Sequence, residues 1–188
     1  STTGDQNLKF VVSAANKTTK GVVTNVANLT SLISSTGVVD VLSDAPINVV
    51  SVESSTSSVK LASALAILDG NSSFAPSIVA ITGVELNSTA GAIGEMGAGL
   101  ELVVSPGGTV SGLASGSIWL NQMGDDFEVG SITSLTGRVK LYANKSILDA
   151  AGDSAADISA VSVDLKALTG SIGTSGKRFD IDSSRNGG

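Results

Sequence analysis

Apolar and polar residues alternate along short runs of this chain. In "VSVDL" (Val161–Leu165), in the two "VKL" strings (Val59–Leu61 and Val139–Leu141) and in "FDI" (Phe179–Ile181), every second position is aliphatic or aromatic, with Asp, Lys or Ser between. A period of two is that of a strand with one buried face. Further short β-rich runs are "LKFVV", "GVVDV", "INVVSV", "SVKLA", "SIWLN", "RVKLY", "ISAVSVDL" and "FDID". Gly, Ser, Asn and Asp punctuate them about every ten residues, which is turn chemistry. Only "LASALAILDG" and "SILDAAGDSAADI" invite a helical reading. β-Branched residues flank both, and "LASALAILD" is copied elsewhere as "LYANKSILD", so strand is expected there as well. The pattern predicts an all-β chain.

The copying is extensive. "INVVSVESSTSSVKLASALAILD" (Ile47–Asp69) lies without gaps over "FEVGSITSLTGRVKLYANKSILD" (Phe127–Asp149), an offset of 80 residues. One residue later the register resumes. "VELNSTAGAIGEMGAGLEL" (Val84–Leu102) then lies over "VDLKALTGSIGTSGKRFDI" (Val163–Ile181), with Gly91, Gly94 and Gly97 on Gly170, Gly173 and Gly176. Residues 18–105 and 106–184 thus form two copies within a single unit spanning 1–188. A partial copy at 8–17 matches 100–109 and 179–188. The chain opens and closes at one phase of its repeat, which would let one copy stack on the next.

A long repeat of short strands suits a solenoid, in which each coil buries its apolar face only against its neighbours. Aromatics make up 3% of the chain, and neither Trp119 nor Tyr142 recurs in the other copy. The alternative, a β-sandwich, normally carries larger core anchors. The expected fold is a right-handed parallel β-helix of about seven to nine coils, stacked at about 4.8 Å with Val on Val and Ile on Ile.

Composition narrows the chemistry. There is no Cys and no His, so disulfides, thiolate metal sites and the commonest general base are absent. The net charge of -6 argues against nucleic acid as a partner. No basic-then-apolar leader is visible at the start, and no run approaches the roughly 20 apolar residues of a membrane span. Membrane insertion is not expected.

The stretch "TGSIGTSGKRFDI" (Thr169–Ile181) looks like a phosphate loop, but it fails the G-x-x-x-x-G-K-[ST] pattern: the glycine spacing is wrong and Arg178 stands where a hydroxyl is needed. Its copy keeps the glycines and replaces Lys177 and Arg178 by Ala98 and Gly99. The glycines therefore turn the chain, delivering Ile172, Phe179 and Ile181 inward, and the basic pair is a solvated tip. No cofactor, metal or catalytic residue is assigned. Carboxylates are the only groups left for catalysis. Asp125 with Asp126, and Asp180 with Asp182, could each meet an acid of a neighbouring coil, whereas Asp69 with Asp149 and Glu101 with Asp180 are a whole repeat apart. Asp153 and Asp157 could share an ion at a turn. Five Asn-x-Ser/Thr sequons, at Asn16, Asn28, Asn71, Asn87 and Asn144, are candidate glycosylation sites.

The segments Ile78–Leu102 and Ala156–Asp182, with their "TGSIGTSGKRFDID" turn, resemble the coils of large bacterial β-helical surface proteins of the filamentous haemagglutinin and two-partner-secreted adhesin group. The resemblance implies a parallel β-helix at the cell surface or outside the cell, with a role in adhesion or surface structure. The expected function is non-enzymatic: a segment of a large secreted adhesin, or a subunit that self-assembles end to end into a filament or sheath. Its partners would be itself, neighbouring repeats, or a glycan or protein of a host or matrix surface. Leu8, Phe10 and Val12 at one end and Phe179 and Ile181 at the other are the candidate assembly strands. The alternative is a carbohydrate-active β-helix enzyme, a polysaccharide lyase or hydrolase using surface carboxylates.

Overall fold

The computed structural model describes residues 7–12, 19–23, 28–34, 37–71 and 73–184, with side chains at Leu32 and from residue 37 onward. These residues form nineteen strands and no helix. The first half of the chain contributes β1 (Asn7–Val12), β2 (Thr19–Val23), β3 (Asn28–Ser34), β4 (Val39–Ser43), β5 (Ile47–Val49), β6 (Val52–Ser54), β7 (Ser58–Ser63), β8 (Ile67–Asp69), β9 (Ile78–Ala80) and β10 (Gly83–Ser88). The second half contributes β11 (Leu100–Val104), β12 (Thr109–Ala114), β13 (Ile118–Gln122), β14 (Phe127–Ser134), β15 (Arg138–Ala143), β16 (Ile147–Asp149), β17 (Ile158–Ser159), β18 (Ser162–Ala167) and β19 (Ile181–Asp182).

Every pairing between these strands is parallel. One sheet stacks β1, β3, β6, β9, β11, β13, β15 and β18; the other stacks β2, β4, β7, β10, β12, β14, β17 and β19. The chain alternates between the two, so it winds as a β-solenoid. From β4 to β19 it makes about six turns, with β2 one rung below. With that rung the count reaches the low end of the seven to nine expected.

Like residues stack on like, as the parallel register requires. Val39, Val59, Val84, Val110 and Val129 form one interior column. Ile47, Ile67, Ile93 and Ile118 form another, continued by Val139 and Val163. All the members from Val39 to Val139 are buried. Small and branched side chains suffice because the interior is narrow, and Phe127 is the only fully buried aromatic among the described residues.

Corners are finished by buried serines. Ser43, Ser63, Ser88 and Ser134 stand in one column, with Ala114 between the last two. Ser63 Oγ donates to Ala45 O at 2.8 Å and accepts from Leu65 N at 3.0 Å. Ser134 Oγ donates to Gly116 O at 2.8 Å and accepts from Gly137 N at 3.0 Å. Each hydroxyl satisfies backbone groups that the turn takes out of the ladder.

The two copies differ by a half-integral number of turns. β7 and its copy β15 lie on opposite sheets, as do β10 and β18, and β9 and β17. From β7, three turns lead through β10 and β12 to β14, and a further half-turn reaches β15. The second copy therefore presents its equivalent surface on the opposite face of the solenoid.

The glycine-rich turn serves conformation, as its sequence predicts. Gly94 and Gly173 have φ of 65° and 70°, in the left-handed region that glycine tolerates. A Cβ at Gly94 would also lie 2.3 Å from Trp119 O. The expectation that Ile172, Phe179 and Ile181 are core residues is corrected. Their copies Ile93, Leu100 and Leu102 are fully buried, but Ile172 and Ile181 are 47% and 46% exposed and Phe179 is half-buried. Among the described residues no later coil covers them.

Candidate functional site

Two features on the outside of the solenoid gather chemistry that the aliphatic interior does not need. The first is a repeated carboxyl cluster. Asp69 ends β8 and is brought beside Glu101 of β11, with Ser77 between them. Ser77 Oγ donates to Asp69 Oδ1 at 2.7 Å, and Ser77 N donates to Glu101 O at 2.9 Å. The second copy repeats this arrangement with Asp149, Asp157 and Asp180, Asp157 taking the place of Ser77. Asp157 N donates to Asp180 O at 2.9 Å, and Asp180 N returns a bond to Asp157 Oδ2 at 2.7 Å.

Crowding of acids raises proton affinity. Burial, reinforced by the Asp69 charge, pushes the Glu101 carboxyl above the usual range. Burial also raises Asp157 to about 6, helped by Asp149 and Asp180. Asp149 moves the other way, held down first by the Gly152 backbone N–H. Glu101 Oε2, Asp149 Oδ2 and Asp180 Oδ2 are buried without a donor. In the second cluster a proton on Asp157, whose affinity is raised, supplies a donor to its neighbouring carboxyls.

The second feature is a groove of about 420 Å³ on the outer face of β11, β13 and β15. Inward positions of β13 hold Ile118, Leu120 and Gln122, so Trp119 and Asn121 point outward; on β15, Lys140 and Tyr142 do the same. The ladder pairs Trp119 with Lys140 and Asn121 with Tyr142. Phe74 and Met96, 90% and 81% exposed, project from turns at its rim. Lys140 pairs with Asp164 at 3.2 Å, and Lys166 Nζ stands 5.6 Å from the Tyr142 ring centre.

The candidate residues read from the sequence are distributed as follows. Asp125 pairs with Lys145, and Asp126 Oδ1 accepts from Ser146 N at 2.8 Å. Asp180 does meet an acid of a neighbouring coil, Asp157, which also faces Asp149, while Asp182 Oδ1 accepts from Ser184 N at 2.9 Å. The acids set aside as a repeat apart, Asp69 and Glu101, are members of one cluster. The pairing of Asp153 with Asp157 over an ion is not what the fold builds: Asp153 caps Ala155 N at 2.7 Å, while Asp157 turns to Asp149 and Asp180. Among the described residues no group of three or more His, Cys, Asp or Glu is placed to hold a metal ion.

Of the sequons, Asn16 lies outside the described residues, as does the Asn28 side chain on β3. Asn71 forms a turn with Ser73, Asn87 is exposed on β10, and Asn144 donates to Met123 O at 2.6 Å beside the groove. Leu8, Phe10 and Val12 lie on β1, which pairs with β3, and their side chains fall outside the described set. Phe179 immediately precedes Asp180 and β19, the last rung of the other sheet. Lys177 is less free than a solvated tip, since its charge reaches Asp149. Arg178 lies 3.7 Å from Asp180. Among the described residues no helix is long and apolar enough to cross a membrane.

Sequence reasoning missed the groove because Trp119 and Tyr142 are 23 residues apart and carry no motif. The signal that could have found it is the one used to argue against a sandwich, that the sole Trp and the sole Tyr are not duplicated. No family model matches the chain, and neither the curated proteins nor the solved structures contain a match to it.

Proposed function

We propose that this chain is a non-enzymatic structural and adhesive β-solenoid of a bacterial surface, which stacks through its coil ends and displays its outer faces to a partner. The observation that carries this reading is the last described coil. Val163, Leu165 and Ala167 of β18 continue the interior columns yet are only half-buried, and Leu168, Ile172 and Ile181 are 55%, 47% and 46% exposed. An apolar end with unpaired strand edges is a template for another rung. Either further coils of a large adhesin or a second copy of this unit would cover it.

The topology refines the geometry of stacking. Because β1 belongs to the same sheet as β18, and β2 to that of β19, a second copy continues the columns by placing β1 on β18. The strand holding Leu8, Phe10 and Val12 then extends the Val163–Ala167 rung, and β2 extends the rung of Ile181. Negative-stain electron microscopy with sedimentation velocity tests this. Fibres one solenoid wide, dissolved by Leu165→Asp with the circular dichroism unchanged, are expected for self-assembly. Monodisperse monomers at all concentrations for residues 1–188 would refute self-stacking by this unit.

A further inference from the structure

We infer that the groove around Trp119 and Tyr142 is a carbohydrate-binding site for a neutral oligosaccharide of pyranose units. This inference rests on the adhesive reading and names the partner of its outer face. The chain has one Trp, one Tyr, two Met and four Phe. The groove takes the Trp, the Tyr, both Met and Phe74. Large side chains have thus been placed outside a core that is built almost without them.

The internal duplication supplies a control. By position in the copies, Asp40, Leu42, Ala62, Ala64 and Asn87 on the opposite face correspond to Trp119, Asn121, Tyr142, Asn144 and Lys166. The frameworks agree, since Lys60 pairs with Asp40 in one ladder as Lys140 pairs with Trp119 in the other. The solenoid therefore folds with small residues at these places. Tyr142 and its neighbours answer to something other than the fold.

The chemistry selects the ligand. Each strand beneath the groove is hydrogen-bonded on both sides, so no free edge is offered to an extended peptide. Recognition falls to side chains. Trp119 and Tyr142 offer aromatic faces, on successive rungs and two residues apart along the strand, to the C–H face of a sugar ring. Asn121 Nδ2 is turned to Gly99 O and Glu101 Oε1, and Asn144 Nδ2 to Met123 O. Both amide oxygens are left to accept from hydroxyls. Lys140 is balanced by Asp164, and the other charged groups of the lining, Glu95 and Glu101, are acidic, so the groove offers no unpaired lining cation to an anionic chain and favours an uncharged one.

Trp119 is its own reporter. Purified protein is titrated with cellopentaose, chitopentaose and mannopentaose while its fluorescence is followed, and binding is repeated by calorimetry. Saturable quenching or a blue shift with at least one sugar is expected. Tyr142→Ala should weaken that affinity at least about tenfold, with an unchanged circular dichroism spectrum because its copy already carries Ala62. Trp119→Ala should abolish the calorimetric signal, and Lys60→Ala on the opposite face should leave it intact. No saturable response to any of the three sugars overturns the proposal, as does equal affinity in Tyr142→Ala. Saturation by a Phe- and Met-containing decapeptide in their place would overturn it too. Fibre formation is unaffected by any of these outcomes, so the stacking reading stands or falls separately.

Discussion

Gln122 is the buried residue whose removal should cost most for its size. It occupies the interior column of Leu32, Val52, Ile78 and Leu102, where every other member is apolar. It is fully buried. The ladder between β11 and β13 stops at Leu102 and Gln122, because Met123 turns the chain away. Val104 on β11 is thereby left without a facing strand. The Gln122 side chain fills the gap as a peptide unit would: Oε1 accepts from Val104 N at 3.2 Å, and Nε2 donates to Val104 O at 2.9 Å and to Asp126 O at 3.2 Å. Gln122→Ala removes three hydrogen bonds and strands three backbone groups. At about 1 to 2 kcal/mol for each buried group, the loss is about 3 to 6 kcal/mol. That is a large part of the roughly 5 to 15 kcal/mol that holds a typical domain folded. Urea unfolding, followed by far-ultraviolet circular dichroism and by Trp119 fluorescence on the same strand, measures it. Gln122→Met is the decisive comparison, because it keeps the volume and discards the polar atoms. It should lose most of the same free energy. A Gln122→Met protein within about 1 kcal/mol of the parent would refute the argument, since filling space would then be the residue's whole contribution.

Gly112 should behave in the opposite way. It interrupts the column of Val41, Leu61, Leu86, Ile132 and Ile158, and a Cβ there would meet nothing nearer than Ile118 Cδ1 at 3.8 Å. Gly112→Ala should raise stability by about 0.5 to 1 kcal/mol through reduced chain entropy, and a lower urea midpoint would contradict this. Asp157 predicts the pH dependence. Its folded value of about 6 lies above its ordinary 3.8, so its contribution is fully present below pH 3.8 and is lost as pH rises through 6. Glu101 acts in the same direction, while Asp149, held low, contributes above the ordinary carboxyl range. Asp157→Asn keeps an acceptor for Asp180 N and gives Asp149 a permanent donor. The melting temperature of the variant minus that of the parent should therefore grow between pH 5 and pH 8, and a flat difference would sink the assignment.

The fold was legible because its determinants are local and repeated. Alternation in "VKL" and "FDI" gave strands, and the 80-residue copying with few aromatics gave a solenoid. The glycines shared by Gly91–Gly97 and Gly170–Gly176 marked a turn, and Gly94 and Gly173 adopt the left-handed backbone that this reading requires. Contacts between coils were much less legible. Coil length varies, from 19 residues between Val110 and Val129 to 26 between Val84 and Val110. Nothing local fixes which acid faces which, so Asp69 with Glu101 could not be matched from spacing. The exposure of Ile172 and Ile181 was hidden for a similar reason. An inward phase is a property of the strand, whereas burial also needs the next coil.

The duplication also explains why the raised proton affinity belongs to Asp157 and has no partner at Ser77. The position between the two flanking acids requires a donor toward the first, Asp69 or Asp149. In the first copy Ser77 supplies a hydroxyl that donates at any pH. In the second, Asp157 can donate only while protonated, so the same architecture that accepts serine freely adds to burial in raising the aspartate's proton affinity. The Ser77 donor is fixed, whereas the Asp157 donor titrates. Because the copies are three and a half turns apart, the Asp157 cluster lies on the face opposite the Ser77 cluster. Asp157→Ser should accordingly convert the second cluster into the first, removing the midpoint near pH 6 while keeping the fold. Retention of that midpoint in Asp157→Ser, read from melting temperature against pH, would show that the titration does not reside in Asp157.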